Sequence, residues 1–167
     1  MVEVEMKSFR EIEEKADTEE RKELFKKLLQ HTVRQINSYL DLFVRRTSDG
    51  VKNSLSEYFL FLSPETNKMV GIGALRNKSI NEKKYLVEIR HIIVEPDCRN
   101  QGFSKLIVSK LVENAKKQGY RKATATSRKA NRYIEKTFLS NDFIKEGVLR
   151  EHFDFNRDLN MWGKILS

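Results

Sequence analysis

The feature that most constrains the fold is an apolar stretch that leads, through a short polar turn, into an amphipathic helical pattern. Residues 85–94 are rich in apolar and β-branched residues and predict a strand. Apolar residues then recur at helical spacing from Gly102 to Lys117, and Gln118-Gly119 marks the end of that helix. A strand followed at once by a helix indicates a domain in which helices pack on a sheet.

Further strands and helices are predicted on both sides of this segment. Two helices are predicted between Asp17 and Arg45, and another between Asn131 and Ser140. Strands are predicted at residues 1–8, 58–62, 69–75, 122–127, 143–149 and 159–166. We therefore expect one domain over residues 1–167 of the α/β (α+β) class, with a single mixed, mostly antiparallel central sheet flanked by helices.

The strand that precedes the Gly102 helix has an irregular apolar pattern. Ile89, Ile92 and Val94 do not keep the period of two that a regular strand requires. One extra residue, a β-bulge, would restore the facing of these side chains. The sequence therefore predicts a bulged strand immediately before the helix.

The cysteine and histidine content excludes several classes of protein. Among 167 residues there is one cysteine, Cys98, and there are three histidines. An internal disulfide framework is excluded, and no metal site is expected. Apolar runs such as Ile92-Ile93-Val94 are too short to cross a bilayer, and the first residues lack a signal-peptide pattern. We expect a cytoplasmic protein without a membrane partner.

The positive charge of the chain is concentrated in one segment. Lys and Arg number 32 against 24 Asp and Glu, which gives a net charge of +8. Residues 99–136 contain eleven basic and two acidic residues, so this segment carries the excess. Such a charge suits a polyanionic partner: a nucleic acid, an acidic membrane surface or a phosphorylated cofactor.

The turn between the strand and the Gly102 helix has the composition of an anion site. A helix N-terminus directs unpaired backbone N–H groups and the positive end of the helix dipole at one point. Gly102 permits close approach, Ser104 is small and adds a hydroxyl, and Arg99 and Lys105 supply positive charge. The pattern predicts a pyrophosphate site, the alternative being an ordinary helix start with a glycine in its entry loop.

The same turn resembles motif A of the GNAT N-acetyltransferase superfamily. That motif reads Gln/Arg-x-x-Gly-x-Gly/Ala after a strand that ends in hydrophobic-x-Val-x-Pro, and here Ser104 is its only departure. The resemblance implies that the loop binds the pyrophosphate of acetyl-CoA and that the backbone of Ile92, Ile93 and Val94 pairs with the pantetheine arm. The loop residues implied to bind acetyl-CoA are Arg99, Asn100, Gln101, Gly102, Phe103, Ser104 and Lys105.

A second resemblance to the superfamily lies downstream. Asn131, Ile134, Phe138 and Phe143 fall where the family shows Asn-x-x-Ala-x-x-Leu-Tyr-x-x-x-Gly-Phe. The resemblance implies that Asn131 hydrogen-bonds the pantetheine region. Phe138 replaces a Tyr that the family often uses as the general acid, so its ring is expected to pack against the pantetheine arm without donating a proton.

Two residues of the bulged strand are candidates for the chemistry of acetyl transfer. A primary amine must lose a proton before it attacks, and Glu88 is the first candidate for the base. Alternatives are an outward Glu88 paired with Arg90 or Lys84, and His91 as the base. The oxyanion is expected to be held by the backbone N–H near Val94, freed from sheet pairing by the bulge.

The resemblance implies an acetyl-CoA-dependent N-acetyltransferase that acts on a primary amine of a small molecule or protein. Transfer is expected to be direct, within a ternary complex, because Cys98 has no dedicated His partner in the local sequence. Two alternatives stay open: an acceptor linked to RNA, such as aminoacyl-tRNA, and a non-catalytic CoA-binding regulatory module. A nucleic-acid partner is not favoured, and a homodimer is left open.

Overall fold

Seven strands of the described residues form one sheet. The computed structural model describes residues 3–8, 56–79, 84–152 and 157–166. The strands are β1 (Glu5–Ser8), β2 (Ser56–Leu62), β3 (Met69–Asn77), β4 (Leu86–Val94), β5 (Lys122–Arg128), β6 (Ile144–Leu149) and β7 (Leu159–Ile165). Their order is β1-β2-β3-β4-β5-β7-β6, and within the described ranges β4 and β5 form the single parallel pair. The predicted mixed, mostly antiparallel sheet is confirmed.

Two α-helices follow the parallel strands. Helix α1 (Phe103–Lys117) connects β4 to β5, and α2 (Arg132–Leu139) follows β5. A 3₁₀ turn, Pro96–Cys98, lies between β4 and α1. The two helices predicted between residues 17 and 45 lie outside the described residues. No helix in the described ranges is long and apolar enough to cross a membrane.

Two glycines of β3 allow α1 to approach the sheet. A Cβ atom at Gly71 would collide with the carbonyl oxygen of Ile93, and one at Gly73 would lie 2.7 Å from a methyl carbon of Leu111. Ile107 and Leu111 of α1 are fully buried against this surface. The face of the sheet toward which a Cβ atom at Gly71 or Gly73 would point is therefore the face that α1 covers.

The position of β3 beneath α1 fixes the direction of the side chains on β4. Leu75 lies two residues after Gly73 and so shares its face, and it pairs with Ile89 of β4. Ile89 therefore faces α1, where it is 3% exposed. Glu88, its neighbour in the strand, points to the opposite face of the sheet.

The predicted bulge is present in β4. Ile72 pairs with Ile93 and Ala74 pairs with Arg90, so two residues of β4 lie opposite the single residue Gly73. One of the two, His91, has a left-handed backbone with φ of 51°. Such a geometry is typical of a bulge that changes the direction in which the following residues face.

Candidate active site

A cleft opens between β4 and β5 because these strands pair over only part of their length. Their parallel register runs from Leu86 opposite Lys122 to Ile89 opposite Ala125. Both strands then continue, β4 to Val94 and β5 to Arg128, without further pairing to each other. The cleft lies directly beside the bulge, in the centre of the sheet.

The β4 edge of this cleft presents backbone groups that are not paired with any strand of the described residues. The N–H of Glu95 donates to Val70 O on β3 at 2.8 Å. Because N–H groups alternate in direction along a strand, the N–H of Val94 points the other way, into the cleft. Arg99 Nε donates to Val94 O at 3.2 Å, as expected for a carbonyl on that side. The same alternation, counted from Ile93, directs the N–H of Ile92 into the cleft.

The loop before α1 is shaped by two residues with positive φ. Asn100 has φ of 60° and Gly102 has φ of 85°. Gln101 supports the turn, since its Nε2 donates to Asp97 O at 2.9 Å. A Cβ atom at Gly102 would have nothing within 4 Å, so the loop is open above this residue.

The first turn of α1 directs free N–H groups into this open space. Gly102 occupies the N-cap position and has no side chain with which to cap the helix. The N–H of Lys105 donates to Gly102 O at 3.1 Å, which leaves the N–H groups of Gly102, Phe103 and Ser104 without a partner in the described residues. The Phe103 side chain is buried in the core, so only its backbone can contact a ligand at this loop.

Ser104, the residue that departs from the family motif, makes a contact that the sequence did not predict. Ser104 Oγ lies 3.0 Å from Thr137 Oγ1 of α2. Thr137 donates its single hydroxyl hydrogen to Tyr133 O, so Ser104 is the donor between the two hydroxyls. Thr137 stands where the family motif shows an apolar Leu, and that departure was the available signal.

Glu88 lies beside the start of the cleft with part of its carboxylate unsatisfied. Its side chain is 15% exposed, and its Oε2 is buried without a hydrogen-bond partner in the described residues. Arg90 Nε and Lys78 Nζ lie 3.6 and 3.9 Å from that oxygen, beyond hydrogen-bond distance. Of the two pairs expected for an outward Glu88, the one with Arg90 is present. The Lys84 ammonium instead lies over the Tyr120 ring.

His91 is held in a hydrogen bond that the sequence did not reveal. Its Nδ1 lies 2.9 Å from Tyr58 Oη of β2, and the two rings stack with centroids 5.7 Å apart. Burial, and to a lesser extent the charge of Arg90, lowers the pKa of His91 to about 4. An imidazole with so low a pKa is a weak proton acceptor for an amine near neutral pH, and its Nδ1 is already hydrogen-bonded to Tyr58.

Phe138 lies in the core. Its side chain is 1% exposed, and its ring packs against Phe143 and Trp162 with centroids 5.3 and 5.8 Å away. The indole N–H of Trp162 donates to Ser127 Oγ at 2.9 Å, so this cluster also holds the end of β5. Contact between Phe138 and a pantetheine arm stays a prediction, and the ring already has a packing role without it.

Asn131 and Cys98 have local structural roles. Asn131 is the N-cap of α2, and its side chain accepts from the N–H of Ile134 at 3.3 Å. Its amide nitrogen has no hydrogen bond in the described residues, so a contact with pantetheine stays a prediction. Burial and the carboxylates of Glu95 and Asp97 raise the pKa of the Cys98 thiol. A protonated thiol is a poor nucleophile, which disfavours an acyl-enzyme.

The structure resembles solved acetyltransferases over nearly the whole chain. A protein assigned to the GNAT acetyltransferase family from Desulfovibrio desulfuricans matches with a TM-score of 0.71 and 12% identity, over 99% of this chain and 100% of that one. A spermidine N-acetyltransferase from Vibrio cholerae, solved with CoA and spermine, matches with a TM-score of 0.74 and 13% identity, over 98% and 95%. At these identities the likeness shows the fold alone.

A third structure, ribosomal-protein-S5-alanine acetyltransferase from Vibrio fischeri, matches with a TM-score of 0.60 and 17% identity, over 77% of this chain and 69% of that one. No curated protein matches the sequence significantly. The model of a family described as the acetyltransferase (GNAT) family matches residues 8–138, well over half of the chain. The chain therefore belongs to the GNAT family of acetyltransferases.

Proposed function

We propose that the protein transfers the acetyl group of acetyl-CoA directly to a primary amine of a small molecule or protein. The observation that carries this proposal is the position of Glu88 on β4. Its carboxylate, with Oε2 buried and without a hydrogen-bond partner in the described residues, lies beside the point where β4 leaves β5 and exposes the N–H groups of Ile92 and Val94. A proton acceptor and oxyanion donors thus belong to one strand, as acyl transfer to an amine requires.

The reaction follows from this arrangement. Glu88 takes a proton from the ammonium form of the acceptor, and the neutral nitrogen attacks the thioester carbon. The N–H of Val94 or Ile92 stabilises the negative charge that develops on the carbonyl oxygen. The attacking nitrogen, positively charged after the C–N bond forms, releases its second proton to solvent, the C–S bond breaks, and the sulfur leaves with the electron pair as a thiolate. A thiolate with a pKa near 8.5 leaves without an acid and takes its proton from solvent, so Phe138 needs no donor group.

The loop residues act on the other end of acetyl-CoA. The free N–H groups of Gly102, Phe103 and Ser104, with the positive end of the α1 dipole, suit the pyrophosphate. The exposed cations Arg99 and Lys105 lie on the same loop and first turn. The Ser104 hydroxyl is committed to Thr137, so serine serves here by positioning α1 against α2.

An amine acceptor agrees with two of the similar structures. One is a spermidine acetyltransferase and another acts on ribosomal protein S5 alanine. These names define the acceptors with which a screen should start. Purified protein is incubated with acetyl-CoA and either a polyamine, a free amino acid or a peptide with an N-terminal alanine, and release of free thiol is followed. Absence of turnover with every amine would contradict the proposal and favour a CoA-binding module.

The role of Glu88 is tested with the best acceptor from that screen. Glu88→Gln should lower kcat/KM near neutral pH by ~10²-fold, because the amide cannot accept the proton, while the Kd for acetyl-CoA changes little. The activity should recover at high pH, where the amine is already neutral. Glu113→Gln is the matched control, since Glu113 is an exposed carboxylate of α1 paired with Lys110. Wild-type activity of Glu88→Gln near pH 7 would assign the proton transfer to another group.

A further inference from the structure

Tyr133 is the most exposed large hydrophobic side chain of the described residues. It lies in the first turn of α2, and 81% of its surface is exposed. Its carbonyl oxygen accepts the hydroxyl of Thr137, so the backbone of this turn is fixed while the ring projects into solvent. The ring is therefore available as a flat apolar surface on a positioned element.

Two contacts establish where this ring lies relative to α1. Asn141, just after α2, donates from Nδ2 to Lys105 O at 3.2 Å, and Thr137 contacts Ser104 at 3.0 Å. Asn141 is thus next to Lys105, and Thr137, four residues earlier in the chain, is next to Ser104. Going back along the chain from Asn141 therefore leads toward the N-terminus of α1. Tyr133 is one further turn in the same direction and, four residues from Thr137, on the same helix face.

The orientation of the Tyr133 side chain moves its ring further in the direction of the N-terminus of α1. Helical side chains lean toward the N-terminus of their own helix. The Tyr133 ring therefore lies beyond the first turn of α1, on the side to which the N–H groups of Gly102 and Ser104 point. Arg132 and Lys136, both exposed, flank the tyrosine on α2. An aromatic face between cations, next to a phosphate loop, is the combination that binds a nucleotide.

We propose that Tyr133 stacks on the adenine ring of acetyl-CoA and positions its 3′-phosphoadenosine end. The inference rests on the proposed function, because adenine reaches Tyr133 only when the adjoining pyrophosphate occupies the loop at Gly102. Stacking on an aromatic ring contributes binding free energy without base-specific hydrogen bonds. Tyr133 thus selects CoA over acyl carriers that end at the phosphopantetheine arm.

The test compares two ligands that differ in the adenosine portion. Binding of CoA and of 4′-phosphopantetheine is measured by calorimetry for the wild type and for Tyr133→Ala and Tyr133→Phe. Tyr133→Ala should weaken CoA binding by roughly tenfold or more. It should leave the Kd for 4′-phosphopantetheine within about twofold, because that ligand has no ring to stack. Tyr133→Phe, which keeps the ring, should bind CoA like the wild type.

Tyr85→Ala is the matched control, because Tyr85 is also an exposed tyrosine, 58% exposed, and precedes the opposite end of β4. It should leave both affinities unchanged. Unchanged CoA binding by Tyr133→Ala, or an equal loss for both ligands, would overturn the inference while the proposed function stands. Failure of the wild type to bind CoA at all would instead overturn the proposed function, and the inference with it.

Discussion

At the scale of single residues, His91 shows how a strand position can fix a charge state. Its imidazole stacks on Tyr58 and accepts or donates a hydrogen bond through Nδ1, within a bulge that few residues tolerate. Burial and Arg90 lower its pKa from 6.5 to about 4, so the folded protein holds it neutral over the physiological range. With a neutral imidazole, one ring nitrogen carries the proton: either Tyr58 donates to Nδ1 and the proton lies on Nε2, or Nδ1–H donates to Tyr58 Oη.

The lowered pKa of His91 makes stability depend on pH. Between about pH 6.5 and pH 4 the unfolded chain binds a proton that the folded chain does not, so the free energy of unfolding falls as the pH falls through this range. His91 should contribute a loss of roughly 2 kcal/mol between pH 7 and pH 5. Urea unfolding of the wild type and His91→Asn at both pH values measures it, because asparagine tolerates the positive φ but does not titrate. The same loss in both proteins would contradict this.

Phe138 and Glu88 show which residue properties the sequence could predict. The family motif predicted the absence of a proton donor at Phe138, and the apolar pattern predicted that Glu88 lies on a strand. Neither pattern could predict that the Phe138 ring is enclosed by Phe143 and Trp162, because those contacts join α2 to the turn before β6 and to β7. The partners of Glu88 are likewise set by β3 and β4 together, which is why Lys78 lies near it and Lys84 does not.

At the scale of elements, two properties of the loop before α1 favour a glycine at position 102: a positive φ and open space for a ligand. Gly102 has φ of 85°, which costs an L-residue about 1 kcal/mol. Its surroundings are empty, so a side chain there meets no protein atom. Substitution at Gly102 should therefore affect a bound anion far more than the fold.

Gly102→Asp should abolish acetyl-CoA binding in a protein that still folds, because it places a negative charge where the pyrophosphate approaches. Gly119→Asp is a close control, since Gly119 has φ of 88°, has equally empty surroundings and lies at the other end of α1. Calorimetry should show wild-type affinity for the control and no binding for Gly102→Asp. Equal affinities of the two folded variants would contradict the assignment of the loop.

The helices and strands of residues 84–152 were predictable because their signals are local. The period of the apolar residues predicted β4, α1, β5 and α2, and its irregularity predicted the bulge. Contacts between elements have no such signal. Ser104 and Thr137 are 33 residues apart, as are Tyr58 and His91, and only the packing of their elements brings each pair together.

At the scale of the whole molecule, the excess positive charge lies in one segment of the chain, which begins at the loop before α1. The basic residues 99–136 span α1, β5 and the start of α2, which surround the cleft and the loop at Gly102. Most of these lysines and arginines are exposed. Four of them, Arg99, Lys105, Arg132 and Lys136, lie on the loop, the first turn of α1 and α2, a number that suits the phosphates of one CoA molecule better than an extended polyanion.

Binding of tRNA should accordingly be weak. Labelled tRNA titrated with the protein at ~0.15 M salt should show at most non-specific affinity, with a steep dependence on salt concentration. Acetyl-CoA is the positive control, because its few phosphates predict a shallower salt dependence. Submicromolar binding of tRNA under these conditions would favour an acceptor linked to RNA.

The strand order was the part of the architecture that sequence could not supply. Periodicity predicts strands one at a time, whereas the insertion of β7 between β5 and β6, and the early end of the β4–β5 register, depend on long-range pairing. The cleft exists only because of that early end.

The hydrogen bond between Ser104 and Thr137 joins the two helices that lie above the cleft. Of the described contacts, this bond and the one from Asn141 to Lys105 tie α1, which packs on β3, to α2, which packs on β7 through Phe138. The two halves of the sheet on either side of the cleft are thus coupled through the helices above it. Thr137 is a residue of α2 outside the cleft, so a substitution there would act on the site only through this coupling. Selection for rate could act there while the chemical residues stay constant.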